Sequence, residues 1–292
     1  MATPAEPTPT LPLSITTIPP TTPHTHTLIF LHGRGDTVPS FIRALHNWSS
    51  STGHTLFSTF PSVKWVFPQA PLRTVANSGR PAGAPPLEVP QWFDVWSPRD
   101  FREREELQLE GLREVVPAVK GLVEKEVEGL GRERGKVVLA GISMGAATGV
   151  HTLLNMGGDK GLGGFMGFCA RCPFAGRGPG EMRGMLGIGG VEDGDGVVKG
   201  TPVLLEHNVG DPLVVIEKGR ELRDALKGFG MEVQWREYVD YRHWFHEPEG
   251  VDDVIEFLEK TVGVPKADLL SGLALGGQQA QAPAGSDKMG LS

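Results

Sequence analysis

KVVLAGISMGAA, residues 136–147, is the stretch of sequence that decides the fold. Its first half is a nearly continuous apolar run, which favours a parallel strand buried on both faces. Its second half is rich in small residues and predicts a helix. The halves meet at Gly141-Ile142-Ser143-Met144-Gly145, a G-x-S-x-G motif in which a sharp turn lifts the serine hydroxyl above the sheet. Glycine on each side of such a turn avoids the clash that a Cβ atom would cause.

The place of this motif in the chain makes Ser143 a candidate nucleophile. The chain has 40 glycines among 292 residues, so a match to G-x-S-x-G arises readily by chance. Here the match falls between a predicted strand and a predicted helix, which is the position that the chemistry requires. The alternative interpretation of Ser143 is an ordinary serine at a strand end.

Short apolar runs alternate with longer amphipathic runs on both sides of this motif. The predicted strands are residues 28–32, 63–67, 136–141, 164–169, 202–207 and 232–238. The predicted helices are residues 38–50, 103–130, 144–156, 213–228 and 250–262. This alternation predicts an α/β fold, with a mostly parallel central sheet and helices on both faces.

Proline and glycine suggest where these elements are interrupted. Pro117 is expected to kink or break the helix predicted over 103–130. Two stretches, 157–167 and 175–200, are rich in glycine but carry neither of the glycine patterns that bind phosphates. We therefore predict that both stretches are connecting loops.

Composition and length predict one α/β domain over residues 13–265, with disordered tails at 1–12 and 266–292. The first tail is rich in Pro and Thr and the second in Gly, Ala and Gln, so both have little to bury. The formal net charge of −7 argues against a nucleic-acid partner. No apolar run approaches the roughly 20 residues of a transmembrane helix. The N-terminus lacks the features of a secretory signal, so a cytoplasmic protein is expected.

The two cysteines, Cys169 and Cys172, form a C-x-x-C pair at the end of a predicted strand. A structural zinc site needs four ligands, and the chain has no second pair of this kind. We therefore interpret the pair as two thiols at a strand end, with no metal bound.

A serine hydroxyl becomes a good nucleophile when a histidine, held by a carboxylate, removes its proton. After a G-x-S-x-G serine these partners follow in the order acid, then histidine. Asp211 comes after the 202–207 strand and is the candidate acid, although Asp is also a common N-cap of a helix. The loop after the 232–238 strand supplies two candidate bases, His243 and His246, and order and spacing favour His243.

Two backbone N–H groups are the candidates for stabilising the oxyanion of an acyl transfer. The residue after the nucleophile, Met144, supplies one, and a loop after an earlier strand supplies the other. HGRGD at 32–36 follows the 28–32 strand, which makes the N–H of Arg34 the second candidate. The alternative for this segment is a plain glycine turn. His32 has no further ligand nearby at metal spacing and is interpreted as a supporting hydrogen-bonding residue.

Six blocks of sequence share a fixed order along the chain. They are HGRGD at 32–36, PQAP at 68–71, QWFD at 91–94, GISMGA at 141–146, GDPLV at 210–214 and the segment 238–243. Through these blocks, residues 25–262 resemble the phospholipase/carboxylesterase branch of the α/β-hydrolases, which includes acyl-protein thioesterases and lysophospholipases. The resemblance implies an α/β-hydrolase fold and a triad of Ser143, Asp211 and His243.

The same resemblance implies a substrate class and its binding residues. It implies a serine hydrolase that cleaves fatty acyl esters or thioesters, on small molecules or on acylated proteins, through an acyl-enzyme and without a metal or organic cofactor. It also implies that Trp92 and Phe93 line the acyl pocket. The alternative for these two aromatic residues is a hydrophobic anchor for their loop.

The chain departs from the family's usual sequence around the acyl pocket. Met144 follows the nucleophile where the family often has Gln, Asp240 stands where Gly is usual, and the loop at 71–90 is long and rich in Pro and Gly. These departures leave open the acyl length, the choice between lipid and protein-linked acyl groups, and the oligomeric state. They also keep two alternatives open: a catalytically silent binding protein on a hydrolase scaffold, and a specialised biosynthetic hydrolase or acyltransferase.

Overall fold

The computed structural model describes residues 11–81, 83–188 and 195–267. The strands in this part of the chain are β1 (Ile15–Ile18), β2 (His26–Leu31), β3 (Val63–Pro68), β4 (Leu72–Thr74), β5 (Glu88–Pro90), β6 (Val137–Ile142), β7 (Gly164–Phe168), β8 (Val203–Asn208) and β9 (Val233–Tyr238). The α-helices are α1 (Val38–Asn47), α2 (Leu56–Thr59), α3 (Leu107–Gly129), α4 (Met144–Leu154), α5 (Pro179–Leu186), α6 (Gly196–Lys199), α7 (Ile216–Gly228) and α8 (Glu249–Glu256). A short 3₁₀ turn, Arg134–Lys136, leads into β6, and a π-helical turn, Phe257–Val262, continues α8.

Seven strands form the central sheet in the order β1-β3-β2-β6-β7-β8-β9. All neighbours pair in parallel except β1, which runs antiparallel to β3 at the edge. Strands β2, β6, β7 and β8 are buried along their whole length, as their continuous apolar sequences predict. Strands β4 and β5 form a separate antiparallel pair within the long loop at 71–90.

Helices pack on both faces of the sheet and divide the core into two layers. One layer joins α3, α4, α5, α6 and α7 to the sheet, and the other joins α1, α2 and α8 to its opposite face. The small-residue helix α4 is buried on every side, which explains why its sequence is apolar all round rather than amphipathic. This architecture agrees with the predicted mostly parallel sheet between two helical layers.

Several predicted elements have different bounds in the structure. Pro117 does not break its helix, because α3 continues from Leu107 to Gly129 with the proline inside it. The stretch 175–200, predicted to be a loop, contains α5 and α6. Pro179 stands at the start of α5, where a missing N–H is tolerated, and the helix buries Met182 and Leu186. The stretch 157–167 includes the start of β7 at Gly164, and a Cβ atom there would lie 2.8 Å from the Phe257 ring.

Strand β1 was not predicted from the sequence. It has four residues, Ile15 to Ile18, and most of it is exposed, so its apolar pattern is short and weak. Its conformation comes from pairing with β3, for example Ile15 with Pro68 and Ile18 with Trp65. The predicted disordered tails fall mainly on residues 1–10 and 268–292, which lie outside the described residues.

Candidate active site

Ser143 sits on a strained turn between β6 and α4. Its backbone φ is 55° and ψ is −121°, a conformation that L residues rarely adopt. A Cβ atom on Gly141 would come within 2.5 Å of the Ala146 nitrogen, and one on Gly145 would collide with the Leu31 carbonyl oxygen. Close backbone packing therefore requires both glycines of the motif, as the sequence predicts from the clash that a Cβ atom would cause.

Asp211 lies on the loop that follows β8, at the same sheet edge as Ser143. Its Oδ1 accepts hydrogen bonds from the backbone N–H groups of Leu213 at 2.8 Å and Val214 at 2.9 Å. Its Oδ2 pairs with Nδ1 of His243 at 2.7 Å. Burial alone raises the pKa of Asp211, but the bond to His243, its charge and the two backbone donors outweigh burial and lower the pKa below 3.8. The side chain is thus held as a carboxylate.

Of the two histidines considered from the sequence, His243 is the one that reaches both the acid and Ser143's cavity. Its loop is fixed by the Asn208 amide, which donates to the backbone oxygens of Arg242 and Trp244 at 2.9 and 2.8 Å. His246 instead contacts Asp240 and Glu249 and stacks on Tyr238, with ring centroids 4.3 Å apart. His246 is not among the residues that line the cavity in the described part of the chain.

The two candidate oxyanion donors face the same cavity. Arg34 and Met144 both line it, and among the described residues neither backbone N–H has an acceptor. The Arg34 side chain points away, with Nε donating to Gln91 at 2.7 Å and Nη2 lying 3.7 Å from Asp94. N–H groups without an acceptor beside a serine are the kind of donor that can stabilise a developing oxyanion.

His32 is buried beneath this loop and fixes it by hydrogen bonds. Its Nε2 accepts from the backbone N–H of Ala70 at 3.0 Å, so the ring proton is on Nδ1 and is donated to the Gly33 oxygen at 2.8 Å. Gln69 bonds the same Nε2 through its amide at 3.0 Å and accepts from the Val38 N–H at 2.8 Å. Desolvation lowers the pKa of His32, in keeping with a neutral ring. This role agrees with the sequence interpretation.

The cavity in front of Ser143 has a volume of about 480 Å³. Residues 33–36 and Ile142 to Met144 form one part of its lining, Leu213, Val214, His243 and Trp244 form a second, and Val95, Pro98, Phe101 and Arg171 form a third. Its size is within the range of about 300–1,000 Å³ that is usual for small-molecule sites. Ser143 and His243 thus share one ligand-sized space.

The prediction that Trp92 and Phe93 line this pocket is wrong. Both side chains are completely buried and neither lines the cavity in the part of the chain that the structure describes. Trp92 donates from Nε1 to the His32 oxygen at 2.8 Å, and a Cβ atom on Gly111 would lie 2.5 Å from the Phe93 Cα. The two aromatic residues anchor their loop against α3 and against His32, and the lining of the cavity begins at Val95.

Arg171 is the cavity residue that sequence reasoning missed. It follows β7 directly, in the apolar stretch FMGFCARCPF, and it is 7% exposed. The available signal was a lone basic residue just after a buried strand, at the same sheet edge as Ser143.

Among the described residues, Cys169, Asp211 and His243 form the one group whose atoms lie close enough, within 4.8 Å, to suggest a metal site. Burial, with the nearby Asp211 charge, raises the pKa of the Cys169 thiol, and its Sγ donates to the Trp244 oxygen at 3.3 Å. Burial likewise raises the pKa of Cys172 to about 12. A cysteine binds a metal as its thiolate, and the raised pKa of both thiols disfavours that form. Both cysteines are free and buried.

A serine on a strand–turn–helix, at the carboxyl edge of a parallel sheet with this topology, is the arrangement of the α/β-hydrolases. That is the class to which the fold and the site assign this chain. Within the class the chain belongs to the phospholipase/carboxylesterase family, whose sequence model matches residues 14–262. It is a hydrolase of the serine esterase and thioesterase type, so the predicted family, fold and general activity are confirmed.

The relatives and structural neighbours of the chain agree with this assignment. An acyl-protein thioesterase 1 from Gibberella zeae is 30% identical over 251 residues, which is 83% of this chain and 93% of that protein. An acyl-protein thioesterase 1 from Schizosaccharomyces pombe is 27% identical over 206 residues, 70% of this chain and 77% of that protein. The crystal structure of Zea mays acyl-protein thioesterase 2 shares the fold, with a TM-score of 0.64 and 24% identity, over 86% of this chain and 99% of that one.

Within residues 11–81, 83–188 and 195–267, every helix is too short or too polar to cross a bilayer.

Proposed function

We propose that this enzyme cleaves its ester or thioester through an acyl-enzyme on Ser143, with His243 as the base and Asp211 as the acid. The observation that carries the proposal is the 2.7 Å contact between His243 Nδ1 and the buried Asp211 carboxylate, beside a cavity that His243 and Ser143 both line. A histidine with Nδ1 committed to a carboxylate presents Nε2 as the acceptor for a serine proton.

The proposed reaction has two halves. His243 takes the proton of Ser143 as its oxygen attacks the carbonyl carbon, and the backbone N–H groups of Arg34 and Met144 bind the resulting oxyanion. The intermediate collapses when His243 returns the proton to the leaving alcohol or thiol. Water then attacks the acyl carbon while His243 takes its proton, and His243 returns that proton to the Ser143 oxygen as its bond to the acyl carbon breaks and the acid leaves.

Acyl groups on proteins or on small molecules, in the cytoplasm, are the substrates that we propose. Support for protein-linked acyl groups comes from the relatives, which are named acyl-protein thioesterases. Support for small esters comes from the family, whose description names phospholipases and carboxylesterases. Both substrate types need the same acyl-enzyme chemistry at Ser143.

The test is the variant Ser143→Ala, which removes the hydroxyl and leaves the turn intact. We expect its kcat on p-nitrophenyl acetate to fall at least about 10⁴-fold, because the acyl-enzyme cannot form. A fluorophosphonate probe, which reacts with activated serines, should label the wild type and not the variant. Ser51→Ala removes an exposed serine that does not line the cavity and is the control. Equal labelling of wild type and Ser143→Ala would contradict the assignment, and no labelling of the wild type would favour a silent scaffold.

A further inference from the structure

Arg171 is a buried cation in the wall of the cavity that holds Ser143. It stands on the loop after β7, the strand that pairs with β6, so it reaches the site from the neighbouring strand end. The residue is 7% exposed, and it lines both the Ser143 cavity and a neighbouring pocket that Glu105 also lines. The rest of this wall, Val95, Pro98 and Phe101, carries no charge.

The protein gives the Arg171 guanidinium neutral partners. Its Nη2 donates to the Gln108 amide oxygen at 2.7 Å, and its Cζ lies 4.0 Å from the centre of the Phe101 ring and 5.7 Å from that of Phe93. Among the residues that the structure describes, no carboxylate comes within 4.0 Å of it, and its Nε and Nη1 have no acceptor. A charged donor in this position is available for a ligand.

The carboxylate whose charge acts on Arg171, Glu105, is already engaged by other partners. Glu105 accepts from the Phe174 N–H at 3.1 Å and pairs with Arg177 at 3.3 Å. Burial lowers the pKa of Arg171 to about 10, and Cys172 and then the charge of Glu105 oppose this effect only in part. Arg171 therefore stays protonated at neutral pH.

A buried guanidinium without a counter-ion is unfavourable, since desolvation is not repaid by an opposite charge. An all-hydrocarbon acyl chain in this cavity would leave that cost in place. A carboxylate would remove it, because its two oxygens match the fork of N–H donors that an arginine presents. The wall thus has the chemistry to prefer an anionic substrate over a neutral one of the same shape.

We propose that the substrate of this enzyme is an ester or thioester that carries a carboxylate, and that Arg171 binds this carboxylate in the cavity. The inference rests on the proposed function, since it names the substrate class of the same Ser143 site. Arg171 determines specificity and takes no part in the bond changes. The volume of about 480 Å³ accommodates a half-ester of a short dicarboxylic acid.

The experiment compares paired substrates that differ in charge and little in shape. One pair places the charge on the acyl side: mono-p-nitrophenyl adipate against p-nitrophenyl 6-methylheptanoate, in which an isopropyl group replaces the carboxylate. The second pair places it on the leaving group: 4-acetoxybenzoate against 4-isopropylphenyl acetate. For each pair, kcat/KM of the charged ester is divided by that of the neutral ester, in wild type and in Arg171→Met.

The wild type should prefer the charged ester in one pair, and Arg171→Met should lower that ratio at least about 30-fold, since truncating one partner of a buried charge pair is costly. Arg171→Lys should restore part of the ratio. Arg223→Met is the control, because it removes a more exposed arginine, on α7, that pairs with Asp224 and does not line the Ser143 cavity. Its ratios should stay within about twofold of wild type.

A measurement on the wild type alone covers the case in which Arg171→Met fails to fold. The monoamide of adipate, which keeps one carboxylate, should inhibit hydrolysis of p-nitrophenyl acetate at least about tenfold more strongly than the neutral 6-methylheptanamide does. Unchanged ratios in both pairs, or equal losses on charged and neutral esters, would overturn the role of Arg171 while fluorophosphonate labelling still supports Ser143. A wild type that neither reacts with the probe nor cleaves any ester would instead remove the proposed function itself.

Discussion

Two sides of the cavity treat buried charge in opposite ways. The acid side, residues 208–214 and 240–244, contains Asp211, whose carboxylate is buried and fully supplied with donors. The cationic wall, Val95, Phe101 and Arg171, contains a buried guanidinium whose protein partners are all neutral. On the acid side, which acts on every substrate, protein donors compensate the buried charge. On the cationic wall no protein carboxylate pairs with the buried charge, so a substrate carboxylate can do so.

Chain connectivity explains why the two sides differ. The backbone donors of the acid side, Leu213 and Val214, are two and three residues from Asp211, so a short turn brings them together. The cationic wall joins Phe101, Gln108 and Arg171, which are far apart in sequence. A group that is held by neighbouring residues in one turn keeps its position when other loops change. A wall formed by several distant loops can change its residues with little effect on the reaction itself.

The largest expected effect comes from Asp211→Asn, on the acid side. An asparagine amide cannot hold the His243 tautomer as the carboxylate does, so kcat should fall about 10³–10⁴-fold. Because that step is shared by every substrate, charged and neutral esters should lose activity to the same extent. Steady-state kinetics on the adipate half-ester and on its isopropyl analogue measure both losses.

The control for this variant is Asp252→Asn, which changes a partly exposed acid that bonds the Ser51 N–H and does not line the cavity. Its kcat should remain within about twofold of wild type. If Asp211→Asn lowered kcat on only one of the two esters, the acid side would also affect substrate preference. That result would contradict the separation of the two sides.

A smaller effect is expected from Phe101→Leu, on the cationic wall. Leucine keeps the wall apolar but removes the ring that lies 4.0 Å from the Arg171 Cζ. An arginine–ring contact is worth about 0.5–2 kcal/mol, so the preference for a carboxylate ester should fall about 2- to 30-fold as Arg171 becomes less well held. Activity on p-nitrophenyl acetate should change by less than about twofold.

The matched variant for Phe101→Leu is Phe229→Leu, at the end of α7 and away from the cavity lining. It should alter neither the preference nor the activity. If Phe101→Leu lowered the rate on acetate as strongly as on the charged ester, the ring would support the reaction as a whole rather than the wall.

Local patterns made much of the fold and of the acid side predictable from sequence. Continuous apolar runs marked β2, β3, β6, β7 and β8, since strands buried on both faces leave no polar period. Glycine at positions 141 and 145 marked the turn at Ser143 because a Cβ atom there meets backbone. The predicted order of acid and histidine placed Asp211 and His243, which the structure brings to 2.7 Å.

The cationic wall could not be predicted in the same way. Nothing within a few residues of Arg171 indicates that its side chain is buried against Phe101 and Gln108, because that contact depends on how three loops pack. Trp92 and Phe93 misled for the same reason: aromatic residues near a site are equally suited to the core. Strand β1 was not predicted because it is an exposed edge strand, and its conformation depends on pairing with β3.

The smallest effect on activity is expected from Glu206→Gln, which sharpens the comparison within the acid side. Glu206 lies on β8, five residues before Asp211, and is equally buried. Neither of its oxygens has a hydrogen-bond partner among the described residues, because the nearby Tyr238 hydroxyl donates to Asp253 at 2.7 Å. Burial, and then the charge of Asp253, raise the pKa of Glu206 well above 4.5. Both effects favour the protonated form of Glu206 in the folded state.

The sign of the resulting pH dependence follows from proton binding. The folded state keeps the Glu206 proton while the unfolded state loses it near pH 4.5, so wild-type stability falls as pH rises above that value. Glutamine has no proton to lose, and the opposite contribution of Asp211 is common to both proteins. The free energy of unfolding of Glu206→Gln minus that of wild type should thus grow from pH 5 to pH 9, by about 1–3 kcal/mol.

Urea unfolding at pH 5, 7 and 9 measures this difference, and Glu128→Gln, an exposed glutamate of α3, should show none. The kcat on p-nitrophenyl acetate should stay within about twofold of wild type, because Glu206 does not line the Ser143 cavity. A difference that is the same at all three pH values would mean that Glu206 titrates normally. In that case a buried carboxylate on this side would not need donors to remain ionised, and the contrast between Asp211 and Arg171 would lose its physical basis.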